Sequence, residues 1–283
     1  MILRENNNSF TLIELLVVIS IIGLLSSIVL VSTRGSRDKA RIAKALEFSQ
    51  TIQNTIGSEA VGIWDFDNCT ASDASGYGNN GTINGAICSS DTPYSAIGQG
   101  TGKNSMSFDG TNDYVECGNV NTGTNEISIS TWINLSSTYV SQKPIINKGY
   151  TSHNAPFYQY SVFYVATDEI KFCLVVSGVL QAATTTTNPI ASTNTWYHIV
   201  TTYDGADLKI YVNGNLENTT NADSGTLTTY ATNMRIGEYT NLNQDYFHGK
   251  IDEVRIYNKS LLTAQIQQLY AEGLEGHKDL ATK

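Results

Sequence analysis

A chain of 283 residues has room for one large domain with an appendage, or for two small domains. Only 15% of its residues are charged against 41% hydrophobic, so the surface is built mainly from Thr, Asn, Ser and Gly. The net charge is −9, yet Arg34, Arg37, Lys39, Arg41 and Lys44 gather between Phe10 and Ile56. The remainder is strongly acidic, which argues against phosphate-backbone binding and so against nucleic acid as a partner.

The chain opens on a polar leader, "MILRENNNS", that ends at Phe10. Leu12 to Val31 is then almost wholly apolar. As a helix this run spans roughly 30 Å, the thickness of a bilayer's hydrocarbon core. A cleaved secretory peptide would have a shorter apolar region ending in a small-residue site. Here the run passes into "VSTRGSRDK", which reads as a retained membrane anchor. Beyond it, Ile42, Leu46, Ser49, Ile52 and Ile56 form a helical stripe, and no proline interrupts Phe10 to Ile56. The expectation is one long helix over 10–57, transmembrane over about 12–31, with Gly57 as its stop. Glu14 stands inside the apolar run. A carboxylate at mid-membrane costs about 2.5–3.5 kcal/mol, less near the interface, so this one calls for a partner outside its own helix.

"FTLIELLVVISIIGLL" resembles the N-terminal segment of type IV pilins and of the related pseudopilins of type II secretion systems. The resemblance implies a prepilin peptidase cut between Ser9 and Phe10 and N-methylation of Phe10. It also implies that Glu14 is the assembly carboxylate, pairing with the terminal amine of a neighbouring pilin subunit. This sequence departs from the pattern at Ser9, where the family nearly always has Gly. Counting Lys and Arg, one before the span (Arg4) and five after, the positive-inside bias would hold the body in the cytoplasm. The resemblance implies export, and a long motif outweighs a statistical bias.

After Gly57 the texture changes to short alternating runs broken by turn residues. "TWYHIVTTYDGADLKIYVNGNLENTT" carries Asp204-Gly205 and Asn213-Gly214, each beside alternating apolar and polar positions, which is a hairpin signal. Similar runs occur at "SMSFDG", "DYVECG", "ISISTWINL", "PIINKG", "YSVFYVA", "IKFCLVV", "MRIGEY" and "KIDEVRIY". Many short strands of this kind indicate an all-β sandwich or barrel over 58–273. Cys69 and Cys88 flank a Gly/Asn-rich segment and are a candidate disulfide in an oxidising compartment. Cys117, on the parity of Val115, reads as a buried free thiol. Alternation in "KIDEVRIY" puts Asp252 on the face of Val254 and Ile256, where burial would demand hydrogen-bond donors or a cation. "SLLTAQIQQLYAEG" predicts a short helix capped by Thr263 and ended by Gly273, followed by a loose tail over 274–283.

"IWDFDNCTASDASGYGNNGTINGA", "MSFDGTNDYVECG", "ISISTWIN", "TWYHIVTTYDGADLKIYVNG" and "FHGKIDEVRIYNKSLL" together resemble concanavalin A-like, laminin-G-type domains. That resemblance spans about Val61 to Ala271. It implies a mainly β, two-sheet jelly roll used in carbohydrate or protein recognition, often with a structural calcium ion. Asp73 and Asn80 in the "DASGYGNNG" loop, with Asp252, are the candidate ligands, since calcium takes six to eight oxygens. The competing reading makes Asp73 and Asn80-Gly81 turn residues and has Asp252 accept backbone N–H bonds. No enzyme is expected. The chain lacks a paired-carboxylate Glu-x-Asp-x-x-Glu run and a Gly-x-Ser-x-Gly elbow, and its histidines show no metal spacing. His198 reads as a packed strand residue. Tyr139, Tyr150, Tyr158, Tyr239 and Tyr246, in loop-like stretches, are candidates for sugar stacking or for covering the core. The favoured reading is a filament subunit at the cell surface displaying an adhesive domain that binds a glycan or protein. A pseudopilin or minor pilin of a type II secretion-like machine is the alternative, and a membrane-anchored lectin or glycanase a further one.

Overall fold

The computed structural model describes residues 56–90, 104–149, 157–240 and 245–275, with Ile13, Leu16, Val17 and Ser20 of the N-terminal segment. Those four residues are helical, and Ser20 Oγ donates to Leu16 O at 2.9 Å. Their spacing sets them on one helical face, and Ile13, Leu16 and Val17 are exposed along it. The rest of the expected 10–57 helix lies outside the described residues apart from its end. Ile56 to Ser58 are helical and the chain turns at Glu59. Among the described residues no helix is long and apolar enough to cross a membrane. The predicted cut at Ser9 and Phe10, Glu14 and the tail beyond Glu275 also fall outside them.

The body contains fifteen strands among the described residues. In chain order they are β1 (Ala60–Trp64), β2 (Thr82–Asn84), β3 (Ile87–Ser89), β4 (Ser105–Asp109) and β5 (Tyr114–Cys117). Next come β6 (Ile127–Leu135), β7 (Lys143–Gly149), β8 (Tyr158–Val165), β9 (Glu169–Val176) and β10 (Val179–Thr184). The last are β11 (Trp196–Tyr203), β12 (Asp207–Val212), β13 (Asn215–Asn221), β14 (Met234–Ile236) and β15 (His248–Tyr257), before helix α1 (Thr263–Glu275). One sheet has the order β13-β12-β11-β6-β15-β4-β3, with β1 also on β15; the other runs β10-β9-β8-β7-β14-β5-β2. Every pairing is antiparallel, and the two sheets form a jelly-roll-like sandwich.

Alternation builds the core between the sheets. In β6, Ile127, Ile129, Ile133 and Leu135 join the main apolar cluster, while Ser128, Ser130, Trp132 and Asn134 take the other face. Val115, Ile236, Ile146, Val162 and Phe172 oppose one another in register from β5 to β9 and supply the facing layer. Burying each such side chain is worth about 1.5–3 kcal/mol. The hairpin signals hold. Asn213 and Gly214 have φ of 51° and 76°, the double positive that a two-residue turn of matching twist requires, and they join β12 to β13. Edge strands β10 and β13 are tied side to side. Asn218 Nδ2 donates to Thr184 O at 2.7 Å and Thr186 Oγ1 to Glu217 O at 3.1 Å.

Helix α1 covers the outer face of the eight-stranded sheet. Ile266 and Leu269 are buried, and Tyr270 stacks on Trp132 with ring centroids 5.7 Å apart. Two helix expectations are corrected. Leu262 rather than Thr263 is the cap: its carbonyl takes the first helical bond from Ile266 N, and Gln265 Oε1 reaches back to its N–H at 2.8 Å. Gly273 does not end the helix, which runs to Glu275. It is glycine because the helix backbone crosses the Trp132 indole; a Cβ there would sit 2.4 Å from the ring.

The expected face of Asp252 is also corrected. Asp252 opposes Trp132 and Arg255 opposes Ser130, so Glu253 and Val254 on β15 together face the single Thr131 on β6. The extra residue is a bulge, with Glu253 at φ 50°. It falls where β15 changes its other neighbour, from β4 at Ile251 to β1 at Val254. Directly opposed residues share a face, so Asp252 lies with Trp132 on the helix-covered side, while Val254 and Ile256 enter the core.

Candidate functional site: an aromatic face on the seven-stranded sheet

Cross-strand register lines up Glu116, Arg235, Asn147, Ser161 and Cys173 on the outer face of the seven-stranded sheet. The segment after β14 lies across this row, held by Asn147, whose Oδ1 accepts from Thr240 N at 2.8 Å and whose Nδ2 donates to Ser161 Oγ at 2.7 Å. Beside it a small aromatic cluster forms. Tyr239 packs on Phe163 at 5.4 Å and on Tyr158 at 6.2 Å, and Cys173 is buried beneath. Gln142 Nε2 donates to Tyr239 OH at 2.6 Å. Burial pushes the Cys173 thiol up to about 11 and the Tyr158 phenol upward as well, so both stay protonated near neutrality.

The charged groups on this face are paired. Arg235 gives Nε and Nη2 to Glu116 Oε2 at 3.0 and 2.8 Å, and Nη1 to Glu238 at 2.6 Å. Its guanidinium lies over the Tyr114 ring, 4.4 Å from the centroid. Tyr246 bonds Glu238, and Lys143 meets Asp245 at 2.8 Å. The arrangement offers the half-buried rings of Tyr114, Tyr158 and Tyr246 over the buried Tyr239 and Phe163, with amide, hydroxyl and carboxylate groups around them and no unpaired cation among these side chains. Such a surface stacks on a ring face and donates or accepts around its edge.

The tyrosines singled out in the sequence thus divide. Tyr158, Tyr239 and Tyr246 reach this face. Tyr139 is structural: its OH donates to His248 O at 2.6 Å and its ring packs edge-on against Tyr164. Tyr150 lies outside the described residues. Sequence reasoning passed over Tyr114, Glu116 and Arg235, although alternation already set Tyr114 and Glu116 opposite in parity to Val115 and Cys117. A second concavity, a cleft of about 380 Å³, lies at the rim of the other sheet among Glu126, Asp204, Lys209, Tyr211, Leu216 and Leu262. Its Asp204 is already engaged by Ala206 N, Asp207 N and Lys209 Nζ.

The candidate calcium ligands are placed as follows. Asp73 Oδ1 accepts from Ile63 N at 3.0 Å and Ser75 N at 2.9 Å, and Oδ2 from Asn79 N at 2.8 Å. Partial burial raises its pKa, but these hydrogen bonds outweigh that and hold it below the usual carboxylate value. Asn80 is brought directly to Asp73, its Oδ1 accepting from Asp73 N at 2.9 Å. Asp252 Oδ1 accepts from Glu253 N at 2.8 Å, inside the β15 bulge. Each of the three is thus engaged by backbone N–H, and among the described residues no group of three or more His, Cys, Asp or Glu gathers as a metal site. Asn79, which the sequence reading missed, fastens the same loop, with Nδ2 on Val61 O and its carbonyl on Trp64 Nε1. Cys69 and Cys88 form a disulfide that ties this loop region to β3. Cys117 is buried in the core with a free thiol.

The two antiparallel sheets and their topology define a jelly-roll-like β-sandwich domain. The chain belongs to the concanavalin A-like lectin/glucanases superfamily, whose family model matches residues 109–267. A second model, the prokaryotic N-terminal methylation motif, matches residues 4–30, so the chain is a fusion of the two. No curated protein matches. Among solved structures, domain 4 of AbnA, a GH43 extracellular arabinanase from Geobacillus stearothermophilus in complex with arabinotriose, is similar with a TM-score of 0.55 at 17% identity, covering 75% of this chain and 98% of that domain. The binding domain of Paraclostridial Mosquitocidal Protein 1 is similar with a TM-score of 0.61 at 14% identity, covering 76% of this chain. The ligand binding domain of botulinum neurotoxin serotype D, in complex with N-acetylneuraminic acid, is similar with a TM-score of 0.58 at 17% identity, covering 78%. The chain spans 52% of the length of each of these two toxin domains. At such identities the likeness is one of fold.

Proposed function

We propose that the chain is a pilin-like filament subunit that displays its β-sandwich outside the cell to bind a glycan or protein. The observation that carries this is the fusion itself: a methylation motif over 4–30 on a concanavalin A-like body. In this reading a prepilin peptidase cuts between Ser9 and Phe10 and Phe10 is methylated. The apolar face of Ile13, Leu16 and Val17 then exchanges lipid for neighbouring helices, and Glu14 neutralises the terminal amine of another subunit. The body is a binding rather than a catalytic domain. The similar solved structures include a domain in complex with arabinotriose and another in complex with N-acetylneuraminic acid, which supports sugar as the ligand class. On this chain the Tyr114, Tyr158, Tyr239 and Tyr246 face suits a neutral sugar better than an acidic one, because Arg235 and Lys143 are already paired.

Mass spectrometry of the mature N-terminus tests the processing, with a chain beginning at methylated Phe10 expected; one still beginning at Met1 in a host bearing pili overturns it. Glu14→Ala is expected to abolish filament incorporation while leaving the membrane-bound precursor. Normal incorporation would favour a plain anchored lectin. A glycan array probed with residues 58–283 tests recognition, and Tyr158→Ala should remove at least most of the neutral-glycan signal. Absence of any signal would favour a pseudopilin or minor pilin with a structural body.

A further inference from the structure

The cleft at the rim of the eight-stranded sheet has no part in the aromatic face. Its lining includes Tyr211 and Leu261, both buried. Tyr211 OH lies 3.2 Å from Thr263 Oγ1, so the ring is tied between β12 and the start of α1. One wall carries Leu216, which opposes Tyr211 in the β12–β13 pairing and so shares its face. The other carries Leu262, just ahead of α1. Leu216 is 52% exposed and Leu262 69%. A single exposed leucine is ordinary. Two that border one concavity leave an apolar mouth open to water, which marks a contact surface. The volume of about 380 Å³ lies within the range of about 300–1,000 Å³ for small-ligand sites.

The charged groups of the cleft decide what it takes. Lys209 is spent: its Nζ meets Asp204 at 2.6 Å and Asp207 at 3.7 Å, so two carboxylates outnumber it. Glu126 is oriented by Ser260 N, which donates to its Oε2 at 3.0 Å. Its Oε1 meets Lys259 Nζ at 3.5 Å, the long limit of a hydrogen bond, and Lys259 is half-exposed. Exposed pairs of this kind contribute little, so an arriving ammonium can take the same oxygen. An anion would be drawn to the first turn of α1, but acceptors are already in place there, Glu126 on Ser260 N and Gln265 on Leu262 N. A sugar would need an open ring face, and Tyr211 is buried.

We propose that this cleft binds an aliphatic primary ammonium, with its charge at Glu126 and its methylene stem against Leu216, Leu261 and Leu262. That chemistry belongs to a lysine side chain or to a free alkyl diamine. Each joins a point charge to a flexible apolar stem, and the cleft sets a carboxylate oxygen beside three leucines. The site lies on the other sheet from the Tyr158 face, so it stands or falls independently of the glycan reading.

The test is a titration of the full-length chain in detergent, labelled at its leucine methyl groups and read by NMR. The probes are cadaverine, Nα-acetyl-lysine N-methylamide, the same compound acetylated at Nε, and hexanoate. Saturable shifts of the Leu216, Leu261 and Leu262 methyls are expected with the two amines alone, with a Kd on the order of 1 mM. The tighter of the two names the source, a peptide lysine or a free diamine. Glu126→Gln keeps an oxygen for Ser260 N but removes the charge, and should weaken amine binding by about tenfold or more. Leu262→Ala should weaken it as well. Equal shifts with hexanoate or with the Nε-acetylated compound overturn the proposal, as does the absence of a saturable shift with either amine. Unchanged binding to Glu126→Gln overturns the assignment of Glu126. If a variant fails to fold, the comparison of the four probes on the unaltered chain decides.

Discussion

His198 has its Nε2 2.9 Å from Ser130 Oγ and its ring against both Trp132 and Tyr270, at 5.0 and 6.0 Å. Burial first, and the nearby Arg255 second, push its pKa from 6.5 down to about 3, so the imidazole is neutral in the folded protein. The unfolded chain therefore binds a proton between pH 6.5 and 3 that the folded one does not, and stability falls as pH falls through that window. At about 1.4 kcal/mol per pH unit, the loss between pH 6.5 and 4 reaches a few kcal/mol. Denaturant melts of His198→Phe should show a flatter profile there; an unchanged slope would place the acid sensitivity elsewhere. The packed-residue reading of this histidine was legible, since it stands in an alternating run. Its neighbours were not, because Ser130, Trp132 and Tyr270 come from other elements.

Helix α1 shows two opposing effects at one position. Ala normally stabilises a helix interior over Gly by about 1 kcal/mol. At Gly273 the added Cβ meets the Trp132 ring at 2.4 Å, so the helix has to lift from the sheet. Overpacking of this sort costs about 1–3 kcal/mol, and Gly273→Ala is expected to lower the melting temperature despite its better propensity. The Asp73 loop gives a second element-scale expectation. Its carboxylate and the Asn80 amide already accept four backbone N–H bonds, so calcium or a chelator should leave the melting temperature unchanged; a calcium-dependent rise would assign an ion there. Asp73→Ala, which frees three of those donors, should destabilise the domain by about 1–3 kcal/mol. The sequence marked this loop by its Asp, Asn and Gly content, but both a turn and a cation site use that chemistry, and the backbone partners at Ile63 and Asn79 come only with the fold.

For the whole molecule, the Cys69–Cys88 disulfide closes a loop at the sandwich margin, where β2 of one sheet leads into β3 of the other. Removing it with paired Ser substitutions should cost about 2–4 kcal/mol, read as a shift of the denaturation midpoint that reducing agent reproduces in the unaltered protein. The sequence by itself determined the two-part organisation, the all-β body and the hairpins at Asp204-Gly205 and Asn213-Gly214. Those features depend on contiguous residues: an unbroken apolar run, a period of two, and residues that tolerate positive φ. Only the tertiary structure decided that Asp252 leaves the core, because the bulge at Glu253 answers a change of neighbouring strand. It alone brought Tyr114, Arg235 and Tyr239 to one face. Those meetings rest on strand register, and register is set by pairing between segments that the sequence holds far apart.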